Sequence, residues 1–380
     1  MTFGRKTAIV GVGYSAIHRE KGVDSRPLAT TAAKNAIADA GLDVSDIDGI
    51  FEYPGFGELS IDMQRMLGIE NLRCFGDYAA SGPSGLAAAL GAETAVASGQ
   101  CDVALVFRSI TREWGQQSGQ VVFPPAGGPL QYQMPYGVAG AIIPVMGMKK
   151  QRRFAEFGGR EEDYGAIAVN ARKWSALNER AVLRDPITMD DYLSSRFVSE
   201  PLRLLDCDYP ITGACAVIIT TAERAADLAQ KPVFIDASAL GTGGRPDWTF
   251  TDDFVFGGTR ACSNTLWERS SVTPADVDVA ELYDGFTHIT ISWAEALGLC
   301  GIGEFGAWVD GGATIGPGGS LPMNTNGGQL AEGRMHGLSF LAEAALQLRG
   351  QCDVRQVDGA RVAVVANAAG PQCGAMVLTS

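Results

Sequence analysis

Apolar residues recur along this chain in short dense blocks, each closed by a glycine or an acidic turn, and their spacing switches between two periods. Lys6 to Gly13 (KTAIVGVG) is a near-continuous apolar run of the kind a buried strand requires. Pro27 to Ala40 has helical spacing, with a proline near its first turn and Gly41 as its stop. LDVSDIDGIF then turns at Ser45 or Asp46 and begins a strand near Gly49. Leu86 to Ala97 follows the glycines Gly82 and Gly85, is apolar on nearly every face, and ends at GQCD before the strand VALVF, Val103 to Phe107.

The same order returns in the second half. Pro232 to Gly241 (PVFIDASALG) reads as a strand, and VTPADVDVAE (Val272 to Glu281) matches LDVSDIDGIF, with Asp276 and Asp278 on Asp46 and Asp48. GLSFLAEAALQLRGQCD matches LAAALGAETAVASGQCD, Gly350-Gln351-Cys352-Asp353 falling on Gly99-Gln100-Cys101-Asp102, and the strand VAVVAN follows. This is a duplication at half-chain scale rather than a short solenoid period. The boundaries it sets are a first half, 1–230, carrying an insertion over about 111–184, and a second half, 231–380. Alternating strands and helices predict an α/β fold with mostly parallel sheets covered by helices. The two apolar central helices are expected to lie buried between the halves.

The insertion is rich in Gly, Pro, Gln and Tyr and ends in a helix carrying Lys149, Lys150, Arg152 and Arg153. A solvated helix face is the plainer reading of those four, and a phosphate-bearing ligand the alternative. GVGYSA after the first strand looks like a dinucleotide fingerprint, but HREKGVDSR separates it from the next helix, so the glycines are read as a turn.

Composition narrows the function. A net charge of −13 argues against a broad nucleic-acid or anionic-membrane surface. Eight scattered cysteines without a CxxC pair and no signal-like segment read as a reduced, cytoplasmic protein. Only three histidines, His18, His288 and His336, make a metal site an unsupported expectation. No apolar run is long enough to span a bilayer.

The chemistry gathers at VAELYDGF, Val279 to Phe286, where an apolar strand stops at a phenol, a carboxylate and a glycine, with His288 just after. Strand ends of this kind deliver side chains to the rim of an α/β sheet, where ligands bind. A strand end with a satisfied tyrosine and a capping aspartate is the plainer alternative.

The two halves, the small-residue helix after a glycine turn, the YDGF element, NTNGGQLAEGRMHG (Asn324 to Gly337) and RFVSEPLRLLDCDYPITGACAVIIT (Arg196 to Thr220) together resemble the thiolase superfamily, and within it the lipid-transfer-protein-like branch. In the last segment Thr212-Gly213-Ala214 stands for the family's Asp-Gly-Ala. The resemblance covers essentially the whole chain. It implies a thiolase fold of duplicated βαβ halves in a five-layer αβαβα sandwich, a homodimer, and a CoA thioester as substrate, with no bound cofactor. It does not imply thiolase chemistry. The nucleophilic cysteine falls on Gly82, flanked by Ser81 and Ser84. The other catalytic positions fall on Tyr283, Arg334 (with Met335 beside it) and Ala368, while Cys373 lies further on.

That pattern is similar to the thiolase-like aldolases of steroid side-chain degradation, which split a β-hydroxy acyl-CoA into a ketone and a shorter acyl-CoA. Their first functional tyrosine matches Tyr283, and their second falls on Arg334. The resemblance makes Tyr283 the base or the hydrogen-bond partner of the hydroxyl, with Arg334 favouring phenolate. His336 would protonate the enolate or orient Tyr283, and Asp284 would orient the loop. Asn324 and the backbone at Gly82, Gly327, Gly328 and Gly370 are candidates for substrate and oxyanion contacts. A salt bridge from Arg334 to Glu332, and His336 as a packed loop residue, are the plain alternatives. Trp114, Phe123, Tyr132 and Tyr136 are expected at the acyl pocket or in loop packing. A small partner protein with an OB-fold and a zinc ribbon is implied as well. The competing functions are a Claisen-type acyltransferase with another nucleophile and a Cys-less acyl-CoA- or lipid-binding subunit.

Overall fold

The apolar runs become strands and the alanine- and leucine-rich blocks become helices. The structure, a computed structural model, describes residues 6–54, 59–78, 82–112, 130–133, 142–245, 247–249, 251–368 and 370–380. The first-half strands are β1 (Thr7–Tyr14), β2 (Gly49–Glu52), β3 (Cys74–Asp77) and β4 (Val103–Ile110). A two-stranded ribbon of β5 (Phe197–Ser199) and β6 (Leu202–Arg203) precedes β7 (Gly213–Thr221). The second half supplies β8 (Val233–Thr242), β9 (Val279–Leu282), β10 (Val362–Ala368) and β11 (Gln372–Thr379). The helices of eight residues or more are α1 (Ser25–Asp39), α2 (Ser60–Leu67), α3 (Gly85–Ser98), α4 (Ile142–Phe157), α5 (Glu161–Ala176), α6 (Thr259–Arg269), α7 (Thr287–Ala296) and α8 (Leu338–Arg349).

Nine strands form one sheet in the order β3-β2-β4-β7-β1-β8-β11-β10-β9. The duplication is visible in this order: β2-β4-β7-β1 runs inward from one side and β9-β10-β11-β8 from the other, and the halves join where Ala8 faces Phe234 and Ile9 faces Val233. The expectation of mostly parallel sheets needs correction. Five of the eight strand pairings are antiparallel. The reason is that β7 and β11 close each half by running back against β4 and β10, and only the pairs made through helical crossovers are parallel.

α3 packs on β2, β4 and β7 and also reaches β8 and β11, while α8 packs on β9 and β10 and also reaches β1 and β7. The two touch each other in the middle layer, with α1 outside the first half and α6 outside the second. A helix enclosed this way needs small residues. Gly85 lies where α3 meets the start of α8, and a β-carbon there would stand 3.0 Å from the Leu338 Cβ.

The basic helix α4 departs from the solvated-face reading. Lys149, Lys150 and Arg153 are buried, and Arg152 alone keeps to the surface, paired with Glu156. Lys150 meets Asp206 at 2.9 Å and Glu161 at 3.1 Å, and Arg153 meets Glu295. Trp114, Phe123, Tyr136 and Ser81 lie outside the described residues, and Tyr132 is exposed.

Candidate active site

Three strand or helix ends converge at the YDGF element. Tyr283 leaves β9 with its N–H on the Ala366 carbonyl of β10, 2.9 Å away. Asn367, at the end of β10, gives its side-chain amide to Pro83 O at 2.9 Å, His336 O at 3.3 Å and Gly82 O at 3.4 Å. Gly85 N–H also donates to His336 O. One buried asparagine therefore ties the turn before α3, the loop before α8 and the end of β10 into a single wall.

The segment 207–209 closes the opposite side. Cys207 bridges to Phe286, Asp208 N–H donates to Gly285 O, Tyr209 N–H donates to Gln329 O, and Arg334 N–H donates to Tyr209 O. These backbone bonds place Asp208 beside Arg334, whose guanidinium lies 3.3 Å from its carboxylate. The expected Arg334–Glu332 pair is replaced: Glu332 is instead engaged by Arg180, Asn178 and Asn326. Burial raises the Asp208 carboxyl to about 6, against the opposing pull of Arg334.

Tyr283 is buried, and its ring folds back over Gly285. Burial, reinforced by Asp208, pushes the phenol above its ordinary range, and Arg334 pulls the other way without prevailing. Arg334 does act in the expected direction, lowering the phenol, but burial and Asp208 outweigh it, which favours the protonated form.

His336 sits at a φ of 53° in the loop, with its N–H on Gln329 Oε1 at 2.9 Å. Its Nδ1 lies 3.4 Å from the Arg108 guanidinium, which can only donate, so Nδ1 accepts and the ring is neutral. Burial, Arg108 and Arg334 all hold its pKa well below the ordinary histidine value. That removes the imidazolium needed to protonate an enolate near neutral pH.

Asp284 does hold the loop. Its carboxylate accepts from Gln329 N–H at 2.8 Å, and burial raises it to about 7. A β-carbon at Gly328 would stand 1.9 Å from its Oδ2, so this glycine is set by the approach of the carboxylate. The oxyanion assignment to the NTNGG loop needs correction. Gly327 N–H is spent on Asn324 O and Gly328 N–H on Asn326 Oδ1. Asn324 itself brackets Leu282, accepting from its N–H at 2.7 Å and donating to its carbonyl at 2.8 Å, which adds an edge to β9. Gly370 lines, with Ala368 and His288, a small pocket. At Gly82 a β-carbon would stand 1.9 Å from the Gln372 carbonyl, so a cysteine side chain has no room there.

Three residues went unread in the sequence. Asp208 lies inside the Arg196–Thr220 segment and Asn367 beside Ala368, but neither residue stands out there as a site residue. Tyr53 had one: the duplication that aligns Asp48 with Asp278 also sets EYPGF on LYDGF, with Tyr53 at the place of Tyr283. In the structure the Tyr53 ring lies 5.6 Å from that of His336 and 4.7 Å from the Arg108 guanidinium. Among the described residues no group of three or more His, Cys, Asp or Glu is placed to hold a metal ion.

Comparison with known proteins places the chain among thiolase-fold relatives. Residues 245–379 match the thiolase C-terminal domain-like family. The chain is 35% identical to a 17-hydroxy-3-oxo-4-pregnene-20-carboxyl-CoA lyase of Mycobacterium tuberculosis, over 98% of this chain and 99% of that protein. It is 32% identical to a steroid side-chain-cleaving aldolase of Thermomonospora curvata, over 97% of this chain and 96% of the other. Among solved structures, the Ltp2-ChsH2(DUF35) aldolase superposes with a TM-score of 0.91 at 30% identity, covering 100% of this chain and 99% of that one.

Proposed function

Because this chain belongs to the thiolase superfamily, on its lipid-transfer-protein-like aldolase branch, we propose that it is an acyl-CoA carbon–carbon lyase. It cleaves a β-hydroxy acyl-CoA, of the steroid side-chain type named for its relatives, to a ketone and a shorter acyl-CoA. The observation that carries this reading is the exchange at the site. The nucleophile position is a glycine closed off by the Gln372 carbonyl, while a phenol, a carboxylate and a guanidinium stand together at Tyr283, Asp208 and Arg334.

The reaction needs a base for the β-hydroxyl, room for the Cα–Cβ bond to break, and donors for the enolate that forms on the thioester. Asp208, which the 207–209 backbone bonds set beside Arg334 in this site, is the base in this reading, and burial raises its carboxyl to about 6. As the hydroxyl proton passes to it, the carbon–oxygen bond becomes a ketone and the Cα–Cβ electron pair moves into the enolate. Tyr283, a protonated phenol, donates to the developing oxyanion; it then gives its proton to Cα and regains one from the protonated Asp208, which restores both groups. Arg334 steadies Asp208 and adds positive potential. His336 positions the loop as a neutral ring. Tyr53 offers a second phenol on the far side of His336.

The partner reading rests on the neighbour solved as an Ltp2-ChsH2(DUF35) complex, and a DUF35-type protein is the proposed companion. A homodimer is proposed through β3, an edge strand whose Phe75 is 60% exposed. No described helix is long and apolar enough to cross a membrane, and a cytoplasmic location is proposed with it. The test is product analysis by mass spectrometry, with and without the partner, on a panel of β-hydroxy acyl-CoA esters that includes steroid side-chain types. A ketone plus a shortened acyl-CoA is expected. Tight acyl-CoA binding with no cleavage across the panel, partner present, would return the chain to the binding-subunit reading.

A further inference from the structure

His288 lies in the first turn of α7, is 2% exposed, and has no hydrogen-bond partner for either ring nitrogen among the described residues. A buried imidazole without partners costs free energy on folding unless something occupies the space in front of it. That space is a pocket lined by His288, Lys149, Thr259, Ser292, Val255 and Phe256, with Ala368 and Gly370 on the wall shared with the end of β10. Ala368, which lines this pocket, falls at the position of the second thiolase cysteine in the resemblance.

The donors and acceptors decide what it takes. Thr259 spends its hydroxyl proton on Phe256 O, and Ser292 spends its own within reach of His288 O and Val255 O. Lys149 has one oxygen partner, Phe254 O at 2.9 Å, with the Phe254 ring 4.8 Å away. The neighbouring cations Lys150 and Arg153 are neutralised by carboxylates, whereas Lys149 forms no ion pair among the described residues. Burial and the three nearby cations keep His288 neutral, so it carries one N–H and one lone pair. The unspent capacity is therefore mainly donor capacity, the His288 N–H and the remaining Lys149 protons, beside one imidazole lone pair. The space suits a group of about one or two water-sized atoms, too small for a phosphate or a ring system.

We propose that this pocket is a subsite for a carbonyl oxygen of the acyl-CoA, received by His288 and Lys149. The chemistry is shared by two carbonyls of such a ligand, the reacting thioester and an amide of the pantetheine arm. The inference rests on the acyl-CoA reading above.

The experiment measures binding by calorimetry of acetyl-CoA and of free CoA to the full chain, with its partner where the complex is needed, for wild type, His288→Phe, Lys149→Met and His288→Asn. If the thioester carbonyl is the occupant, His288→Phe and Lys149→Met weaken acetyl-CoA about tenfold and leave CoA unchanged. If a pantetheine amide is the occupant, both ligands weaken alike. In either case His288→Asn, which keeps a donor, recovers most of the loss. Melting curves establish that the variants are folded, and Lys149→Met carries the test if His288→Phe is not. Affinities for both ligands within twofold of wild type in folded variants overturn the subsite and leave a pocket that holds only water. Failure of the wild type to bind either ligand overturns the acyl-CoA reading itself, a different result.

Discussion

The Tyr283 ring lies over Gly285 so closely that a β-carbon on Gly285 would stand 2.7 Å from the phenol oxygen and 2.5 Å from Cε1. The glycine is there to let the phenol fold back into the site, and the residue after Asp284 thereby sets the aim of the one before it. Gly285→Ala is expected to lower cleavage about as much as Tyr283→Phe, which itself should cost roughly 100-fold or more in kcat as a lost oxyanion donor. The discriminating measurement is the pair of melting curves and turnover rates. Tyr283→Phe should melt near the wild type, and full activity in a folded Gly285→Ala would remove Tyr283 from the mechanism.

Asp208 gives the reaction its pH dependence. Its carboxyl is raised to about 6 by burial, and a base acts only when ionised, so kcat/KM should fall as pH drops through about 6. Arg334 pulls that value down. Arg334→Ala should therefore move the acid limb to higher pH, and Asp208→Asn should abolish most activity at every pH. Stability runs the other way. The unfolded carboxyl releases its proton near ~4 while the folded one keeps it to about 6, so this group destabilises the fold progressively as pH rises through that window. Rate profiles from about pH 5 to 9 check the first claim. A limb unchanged by Arg334→Ala would assign the titration elsewhere.

Much of this was legible in the chain, and the failures have physical causes. The strand and helix blocks, the half-chain duplication and the YDGF element follow from periodicity and from glycine placement, which are local. Strand direction was not legible for β7, which acquires its direction from β4 and β1, both distant in the sequence, and β11, which turns straight back on β10, is not among the strands predicted from the sequence. The fate of α4 was missed because one short stretch carries Lys149, Lys150, Arg152 and Arg153 alike, and partners distant in the sequence decide which are buried: acids at Glu161, Asp206 and Glu295 for Lys150 and Arg153, and the Phe254 carbonyl for Lys149. Asp208 reached the site through backbone bonds of the 207–209 segment to Gly285 and Gln329, which no spacing rule anticipates. Tyr53 was legible in the duplication.

The burial of α4 makes a stability prediction. Lys150 is fully buried between Asp206 and Glu161 and also meets the Tyr192 hydroxyl at 3.2 Å. Lys150→Met leaves the Asp206 carboxylate without its cation and should cost about 3–5 kcal/mol. Arg152→Ala, on the exposed Glu156 pair, should change stability by less than about 1 kcal/mol. Denaturant midpoints of the two variants test this. Equal shifts would mean that the helix is not packed as described.

The Claisen alternative is tested by restoring the missing nucleophile. Gly82→Cys would place a thiol at the head of α3, the position thiolases use. Here its β-carbon meets the Gln372 carbonyl at 1.9 Å, and that carbonyl belongs to β11, which is hydrogen-bonded on both sides along its length. A β-sheet backbone does not yield cheaply, so the variant should lose roughly 1–3 kcal/mol of stability to overpacking. It should form no acyl-enzyme when incubated with an acyl-CoA and examined by intact-mass spectrometry. The phenol and guanidinium at Tyr283 and Arg334 are also wrong for activating a thiol, since neither residue supplies the imidazole that a cysteine nucleophile needs. A stable acyl adduct on Gly82→Cys would show that the turn before α3 can open. It would revive acyl transfer as the ancestral chemistry of this pocket rather than one that the Gln372 carbonyl forbids.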